Sequence, residues 1–185
     1  MAKVSICVPT YNNASEVERL LQSVHRQNYT DYEVNISDDS TNEETAELIE
    51  RIRTEWSWQD KLHYIHNEKP LGHIYNWNAA IKMAAGEYIK IMFSDDWFTD
   101  SDSLGTFVSM LDEHPKANLA FSGSMQVLLD GQDIEQVKHL NKQVTEHGNA
   151  YARYAEDAFI ERLHRNYKLF FLGNQIGAPS AGIYR

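Results

Sequence analysis

The sequence predicts an α/β fold with a mostly parallel central sheet and helices on both of its faces. Short, β-rich apolar segments alternate with longer segments in which apolar residues recur at helical spacing, in the order β-α-β-α-β-α-β. The length of 185 residues allows one sizeable core of this kind and is too short for two independent domains. We therefore expect a single α/β unit.

Clear boundary signals mark the first strand and the first helix. Residues 3–8 form a short apolar run that Pro9 stops, which predicts a buried strand. Ser15 and Glu18 have the spacing of a capping box, and apolar residues recur behind them at helical intervals. These signals predict a helix that starts at Ser15 and ends near Gln27.

The second and third strands are predicted on either side of a second helix. Residues 32–37 and residues 62–66 are short segments rich in β-branched, aromatic and other apolar side chains. Between them lies an amphipathic segment, for which Ser40 or Thr41 is the expected N-cap.

The third helix and the fourth strand meet at a glycine. Residues 74–84 have helical spacing, and Gly86 is the expected C-terminal cap. Residues 87–93 then predict a fourth strand, and Asp100 or Ser101 is expected to start a fourth helix.

The last third of the chain is less regular. Residues 118–122 and 125–129 predict two further strands, and residues 151–171 have a helical pattern. Residues 174–185 indicate a loop followed by a strand-like run. A chain that ends on such a run suggests C-terminal truncation.

Composition narrows the class of protein. The formal net charge of −10 argues against binding to nucleic acid, which needs a basic surface. The single cysteine, Cys7, lies in an apolar run and is expected to be a core residue rather than a nucleophile. No apolar run approaches the roughly 18 residues of a membrane span, and no signal-peptide pattern opens the chain. These features predict a soluble cytoplasmic protein without a transmembrane segment.

Acidic pairs follow two of the predicted strands. Asp38-Asp39 comes directly after the second strand, and Asp95-Asp96 comes just after the fourth. The polar loop at Thr10-Tyr11 follows the first strand, and ligands of parallel sheets bind at this carboxyl edge. Adjacent carboxylates repel each other unless a solvent, cation or hydrogen-bond donor compensates them. The pattern predicts a polar site that holds a metal or a nucleotide.

The chain also carries an ordered series of short motifs. They are Val4-Ser5-Ile6-Cys7-Val8-Pro9-Thr10-Tyr11-Asn12, Leu21-x-Ser23-Val24-x-x-Gln27-x-Tyr29-x-Asp31-Tyr32-Glu33, Ser37-Asp38-Asp39-Ser40, Asn76-Trp77-Asn78-x-Ala80, Ala85-Gly86-Glu87-Tyr88-Ile89 and Asp95-Asp96. Together they resemble the bacterial-type family-two inverting glycosyltransferases. The resemblance implies the GT-A fold, a Rossmann-like three-layer sandwich. It also implies a nucleotide-sugar-binding core at residues 1–130 and an incomplete acceptor-side region of the same domain at residues 131–185.

The resemblance implies roles for the residues that would hold the nucleotide. Pro9 and Tyr11 would line the pocket for the base, with the tyrosine ring as a stacking face. Asp39 would accept a hydrogen bond from the ring imide of uracil, a donor that cytosine lacks. Asp38 would lie beside it and help to shape the loop.

The second acidic pair resembles the metal-binding Asp-x-Asp element of the family. Asp96 would be the ligand of Mn²⁺ or Mg²⁺, which prefer oxygen ligands, and Asp95 would face the ribose or the donor sugar. Ser94 stands where the first Asp of that element is usual, so weak metal binding is expected without a nucleotide diphosphate.

A further departure lies in the third helix. Trp77 stands where many members of the family carry Arg before the donor-binding Asn, which Asn78 matches. The missing cation would weaken contact with the donor, unless the nearby Lys69 or His73 substitutes for it. Trp77 itself is expected to be a core aromatic rather than a sugar platform.

The implied reaction transfers a sugar from a nucleotide diphosphate, with a UDP-sugar favoured, to an acceptor hydroxyl with inversion. The acceptor would be a saccharide or a lipid-linked saccharide in surface polysaccharide synthesis, which allows peripheral membrane contact. The general base is expected at or beyond Arg185, and Asp157 is a weak candidate. The alternative is a nucleotide-sugar-binding module that is inactive as it stands because the base is missing.

Overall fold

The computed structural model describes residues 2–122 and 179–185. The strands are β1 (Val4–Thr10), β2 (Tyr32–Asp38), β3 (Leu62–His66), β4 (Tyr88–Ile91), β5 (Leu119–Phe121) and β6 (Gly182–Tyr184). The helices are α1 (Ala14–His25), α2 (Glu44–Trp56), α3 (His73–Lys82) and α4 (Ser103–Glu113). Met1–Ala120 and Gly182–Arg185 form one compact unit, and Phe121–Ala181 form a second. The four α-helices of the described residues belong to the first unit.

The strands form one mostly parallel sheet, as predicted. Its order is β3-β2-β1-β4-β6-β5. β1 is parallel to β2 and to β4, β2 is parallel to β3, and β6 is antiparallel to β4. In the register, Val4 of β1 pairs with Tyr32 of β2 and with Tyr88 of β4. β1 is therefore hydrogen-bonded on both edges.

Helices cover both faces of this sheet. The chain moves from β1 to β2 and β3 in one direction and then returns past β1 to β4. Because parallel crossovers are right-handed, α1 and α2 lie on one face and α3 lies on the other. The contacts agree, since α1 touches α2 while α3 packs on β1 and β2. The predicted three-layer α/β sandwich is confirmed.

The core is centred on β1. All seven residues of β1 are buried, as expected for a central strand covered on both faces. One stripe of α1 packs into the core, and its apolar members are Val17, Leu20, Leu21 and Val24. Cys7 is fully buried, and burial raises the pKa of its thiol to about 12. This residue is thus a packed core side chain, as predicted.

The predicted helix caps were wrong. Ser15 lies inside α1, where its hydroxyl donates to Glu16, and the N-cap residue is Asn13. α2 begins at Glu44 with Glu43 as its N-cap, so Ser40 and Thr41 do not cap it. Ser40 and Thr41 instead belong to the loop before α2, where the Asn12 backbone N–H donates to the Ser40 hydroxyl and the Thr41 backbone N–H donates to the Asn12 side-chain oxygen.

Gly86 has a different role from the predicted helix cap. α3 ends at Lys82 with Met83 as its C-cap. A Cβ atom at Gly86 would lie 2.8 Å from the backbone nitrogen and from the Oγ of Ser5, and 2.9 Å from the carbonyl carbon of Val4. The backbone at Gly86 thus approaches β1 more closely than any side chain allows.

The structure tests only part of the C-terminal predictions. β5 and β6 confirm a strand within residues 118–122 and a strand at the end of the chain. The predicted strand at 125–129 and the predicted helix at 151–171 lie outside the described residues, as does Asp157. No helix within the described ranges is long and apolar enough to cross a bilayer.

Candidate functional site

The polar strand ends of β1, β2 and β4 meet at one edge of the sheet. These three strands are neighbours and parallel, so their carboxyl ends lie side by side. The order of strands reverses between β1 and β4, which is where open α/β sheets bind ligands.

A cavity of about 550 Å³ lies at this edge. Four of the predicted site residues line it, namely Pro9, Tyr11, Asp39 and Asp95. Tyr11 is 56% exposed, so its side chain is accessible to a ligand. The other three predicted residues, Asp38, Asn78 and Asp96, are not among the lining residues.

Asp39 connects β2 to the loop that follows β3. One of its carboxylate oxygens accepts a hydrogen bond from the Asn67 side-chain amide at 2.8 Å, and the other accepts one from the Gly72 backbone N–H at 2.9 Å. A carboxylate has about four acceptor positions, so two remain for a ligand. Asp39 is 3% exposed yet lines the cavity.

Asp38 is a buried structural residue. It is fully buried and accepts hydrogen bonds from the Ser40 backbone N–H and the Tyr64 hydroxyl, both at 2.8 Å. Burial, together with this hydrogen bond to Asp38, raises the pKa of Tyr64. The carboxylate therefore fixes the turn that presents Asp39.

A polar chain links the ends of β1 and β4. The Thr10 hydroxyl donates to the side-chain oxygen of Asn13, and the Asn13 amide donates to the hydroxyl of Ser94. Ser94 and Asn13 also line the cavity. This chain positions the loop that carries Asp95 and Asp96, since Ser94 directly precedes them.

The residues after β4 fit a divalent cation that is held jointly by the protein and by the phosphate oxygens of a bound ligand. Within residues 2–122 and 179–185, no group of three or more His, Cys, Asp or Glu side chains is placed to hold a metal by itself. Asp95 is exposed and Asp96 is half-buried in a turn closed by the Asp96 N–H and the Phe93 carbonyl at 3.0 Å. Mg²⁺ commonly uses one or two carboxylates together with phosphate oxygens and water. The donor set suits that kind of site.

The buried side chain of Lys90 interacts electrostatically with Asp96 in this acidic loop. Lys90 is fully buried in β4, where its ammonium donates to the Gly182 carbonyl at 3.2 Å and lies 4.7 Å from the centre of the Phe107 ring. Burial lowers the pKa of Lys90 to about 7, and the negative charge of Asp96 opposes that change.

Stability is expected to rise with pH because of Lys90. Below about pH 7 the folded and unfolded states both hold the proton, so the fold carries the full cost of a buried ammonium. Between about pH 7 and 10.5 the unfolded chain binds the proton and the folded chain does not, which increases the free energy of unfolding. Urea unfolding of the wild type and Lys90→Met across this range measures the effect. Parallel curves for the two proteins would contradict it.

Aromatic side chains form one wall of the cavity. The His73 and Trp77 rings stack with centroids 5.7 Å apart, and the Trp77 and Phe93 rings lie 4.8 Å apart. All three residues line the cavity, and Trp77 is half-buried rather than a full core residue. Asn78 is exposed on α3 and lies outside the lining.

Sequence reasoning missed two asparagines that build the site. The buried Asn76 side chain donates to the Thr10 carbonyl at 3.0 Å and ties α3 to β1. Asn67 holds Asp39 and lines a neighbouring cavity of about 650 Å³, in which Pro70 also takes part. Asn67 comes directly after β3, so the rule that ligand sites lie at strand ends was a usable signal.

The sequence matches a known family of enzymes. The sequence model described as Glycosyl transferase family 2 matches residues 5–123. A Campylobacter jejuni protein, GalNAc(5)-diNAcBac-PP-undecaprenol beta-1,3-glucosyltransferase, is 25% identical over 148 residues, which is 77% of this chain and 47% of the relative.

Two solved structures share the fold. Residues 1–349 of Staphylococcus aureus TarS in complex with UDP are 28% identical with a TM-score of 0.60, over 71% of this chain and 38% of that fragment. The mannosyltransferase PcManGT from Pyrobaculum calidifontis in complex with GDP-Man and Mn²⁺ is 25% identical with a TM-score of 0.60, over 66% of this chain and 36% of that protein.

The matches extend over most of the chain but less than half of each relative. The chain spans 47% of the Campylobacter enzyme and 23% of TarS. The family match nevertheless includes β1, β2, β4 and the polar loops between them. The fold is the GT-A fold that the motifs implied, and the chain belongs to glycosyl transferase family 2.

Proposed function

We propose that this chain binds the donor in a glycosyltransferase that moves a sugar from a nucleotide diphosphate to an acceptor hydroxyl with inversion. The observation that carries the proposal is one cavity, at the switch point of the sheet, lined by Tyr11, Asp39 and Asp95. A UDP-sugar is the favoured donor, and TarS, a member with the same fold, has been solved with UDP and with UDP-GlcNAc.

The base of the nucleotide is assigned to the β1 and β2 side of the cavity. Tyr11 offers an exposed ring for stacking, and Pro9 lies on the same wall. Asp39 keeps acceptor capacity beyond its bonds to Asn67 and Gly72, which suits the imide N–H of uracil. Asp38 holds the turn next to Asp39 through its hydrogen bonds with the Ser40 backbone and the Tyr64 hydroxyl.

The diphosphate and the metal are assigned to the loop after β4. Asp96 would hold Mn²⁺ or Mg²⁺, Asp95 would face the ribose or donor sugar, and Asn78 remains a predicted donor contact. When bound, the cation would neutralise negative charge on the departing diphosphate. Mn²⁺ accompanies GDP-Man in the structure of PcManGT, which supports this class of cofactor.

The acceptor side is assigned to residues 131–185 and to sequence at or beyond Arg185. A carboxylate there would remove the acceptor proton as the hydroxyl attacks opposite the leaving group. Asp157 remains a weak candidate for that base. The Campylobacter relative is named for an undecaprenol-linked saccharide, which supports a lipid-linked saccharide acceptor and a role in surface polysaccharide synthesis.

The alternative is a nucleotide-sugar-binding module without turnover. It is favoured because, in the described part of the chain, Asp39 and Asp95 are the only carboxylates that line the cavity, and the proposed function uses both of them for the donor. Thermal shift with UDP and Mn²⁺, followed by assays of UDP-sugar hydrolysis and transfer, separates the two. Stabilisation with neither hydrolysis nor transfer selects the module. No stabilisation by any nucleotide contradicts both.

Base recognition by Asp39 has a direct test. Asp39→Asn is expected to reduce the preference for UDP over CDP by about tenfold, because an amide replaces one acceptor oxygen of a charged group. Isothermal titration with both nucleotides measures this ratio.

The matched control for this prediction is Asp60→Asn. Asp60 is exposed and lies outside the linings of both cavities, so its replacement should leave the UDP/CDP ratio unchanged. An Asp39→Asn protein that discriminates as well as the wild type would remove the proposed role.

A further inference from the structure

The donor cavity is poor in positive charge, which matters if it holds a diphosphate. Among the described residues, its lining includes the carboxylates of Asp39 and Asp95 and no Lys or Arg. A diphosphate would add further negative charge beside these two groups, and like charges raise each other's cost of ionisation. The lining contains one residue that can carry a positive charge, His73.

The position of His73 is fixed from two sides. It is the first residue of α3, and the Gly72 N–H before it donates to Asp39 at 2.9 Å. Three residues later, the Asn76 side chain donates to the Thr10 carbonyl at 3.0 Å. The start of α3 is thus tied to the ends of β1 and β2, which places His73 beside the cavity.

The His73 ring is also oriented by an aromatic neighbour. It stacks on Trp77 with centroids 5.7 Å apart and an angle of 17° between the ring planes. Trp77 in turn packs on Phe93 at 4.8 Å. Stacking uses the face of the imidazole and leaves its edge, where both nitrogens lie, for hydrogen bonds.

We propose that His73 is a donor-binding residue whose ring N–H donates to a diphosphate oxygen of the nucleotide sugar. The inference rests on the proposed function and adds the group that receives the diphosphate on the α3 side. Every protonation state of imidazole has at least one N–H, and the protonated ring also supplies charge. Trp77 is then the residue that holds the imidazole. Lys69 is not among the lining residues and has no such role.

The test compares UDP with uridine, which lacks the diphosphate. Isothermal titration is run with and without Mn²⁺ on the 185-residue wild type and three variants, His73→Phe, His73→Arg and Lys69→Ala. Phe keeps a ring on Trp77 without an N–H, and Arg restores donors and charge on a group that also stacks on indole. His73→Phe should weaken UDP binding by about tenfold and leave uridine unchanged. His73→Arg should restore UDP affinity to within about threefold of the wild type. Lys69→Ala should bind UDP as tightly as the wild type.

The outcomes separate this inference from the proposed function. Equal UDP affinity in His73→Phe and the wild type, or an equal loss for UDP and uridine, overturns the role of His73 while nucleotide binding stands. A loss specific to UDP in Lys69→Ala also overturns it. A wild type that binds neither compound overturns the proposed function, and this inference with it.

Discussion

Asp96→Asn is expected to abolish the Mn²⁺-dependent part of UDP binding. In the proposed site Asp96 is the protein's metal ligand, and within the described residues no three-residue cluster could replace it. Changes that only disturb the neighbours of metal ligands commonly weaken metal affinity about 10- to 100-fold, so loss of the ligand should cost at least as much. UDP titrations in Mn²⁺ and in EDTA should become indistinguishable for the variant.

The control for this experiment must account for Lys90. The charge of Asp96 opposes the lowering of the Lys90 pKa, so the variant should be compared with the wild type in its unfolding curve as well as in binding. Asp60→Asn serves as the matched surface change, because Asp60 is exposed in a turn outside both cavity linings. Retention of the Mn²⁺ effect in a folded Asp96→Asn protein would sink the metal assignment.

Gly86→Ala is expected to destabilise the fold by about 3 kcal/mol, the upper part of the range for overpacking. The added Cβ would meet Ser5 at 2.8 Å and Val4 at 2.9 Å, and most of these atoms belong to the backbone of the central strand. The Gly86 N–H also donates to the Ser5 hydroxyl at 2.8 Å, a bond that any shift would strain. Urea unfolding measures the loss.

Gly105→Ala is the matched control for that prediction. Gly105 lies inside α4, and a Cβ atom there would meet only the Tyr29 Cβ at an ordinary 3.7 Å. Alanine in a helix interior is favoured over glycine by about 0.5–1 kcal/mol, so this variant should be more stable than the wild type. Similar unfolding curves for the two glycine variants would contradict the close-approach account of Gly86.

The order of elements and the edge that carries the site could be predicted from local patterns. The bounds of β3 at Leu62–His66 agree with prediction because a short apolar run between polar segments defines a strand by itself. The meeting of the acidic loops also followed, since parallel strands bring their carboxyl ends together. The motif series added the family, which the match over residues 5–123 confirms.

What could not be predicted depends on partners distant in sequence. Asp39 bonds to residues 28 and 33 positions away, and nothing in its local sequence names Asn67 or Gly72. The buried Lys90 likewise donates to the carbonyl of Gly182, 92 positions later in the chain. Gly86 was given the wrong role for the same reason: a glycine after a helix fits a cap locally, and only the fold brings it against Ser5.

The complete burial of β1 sets a limit for anyone who wishes to alter the donor preference of this protein by engineering. Thr10, its last residue, is 3% exposed, and the next residue, Tyr11, is 56% exposed. Libraries that vary the residues of β1 before Pro9 will mostly return destabilised proteins, because those side chains are buried in the central strand. Diversity placed from Tyr11 onward changes the surface offered to the nucleotide while the framework beneath it is retained.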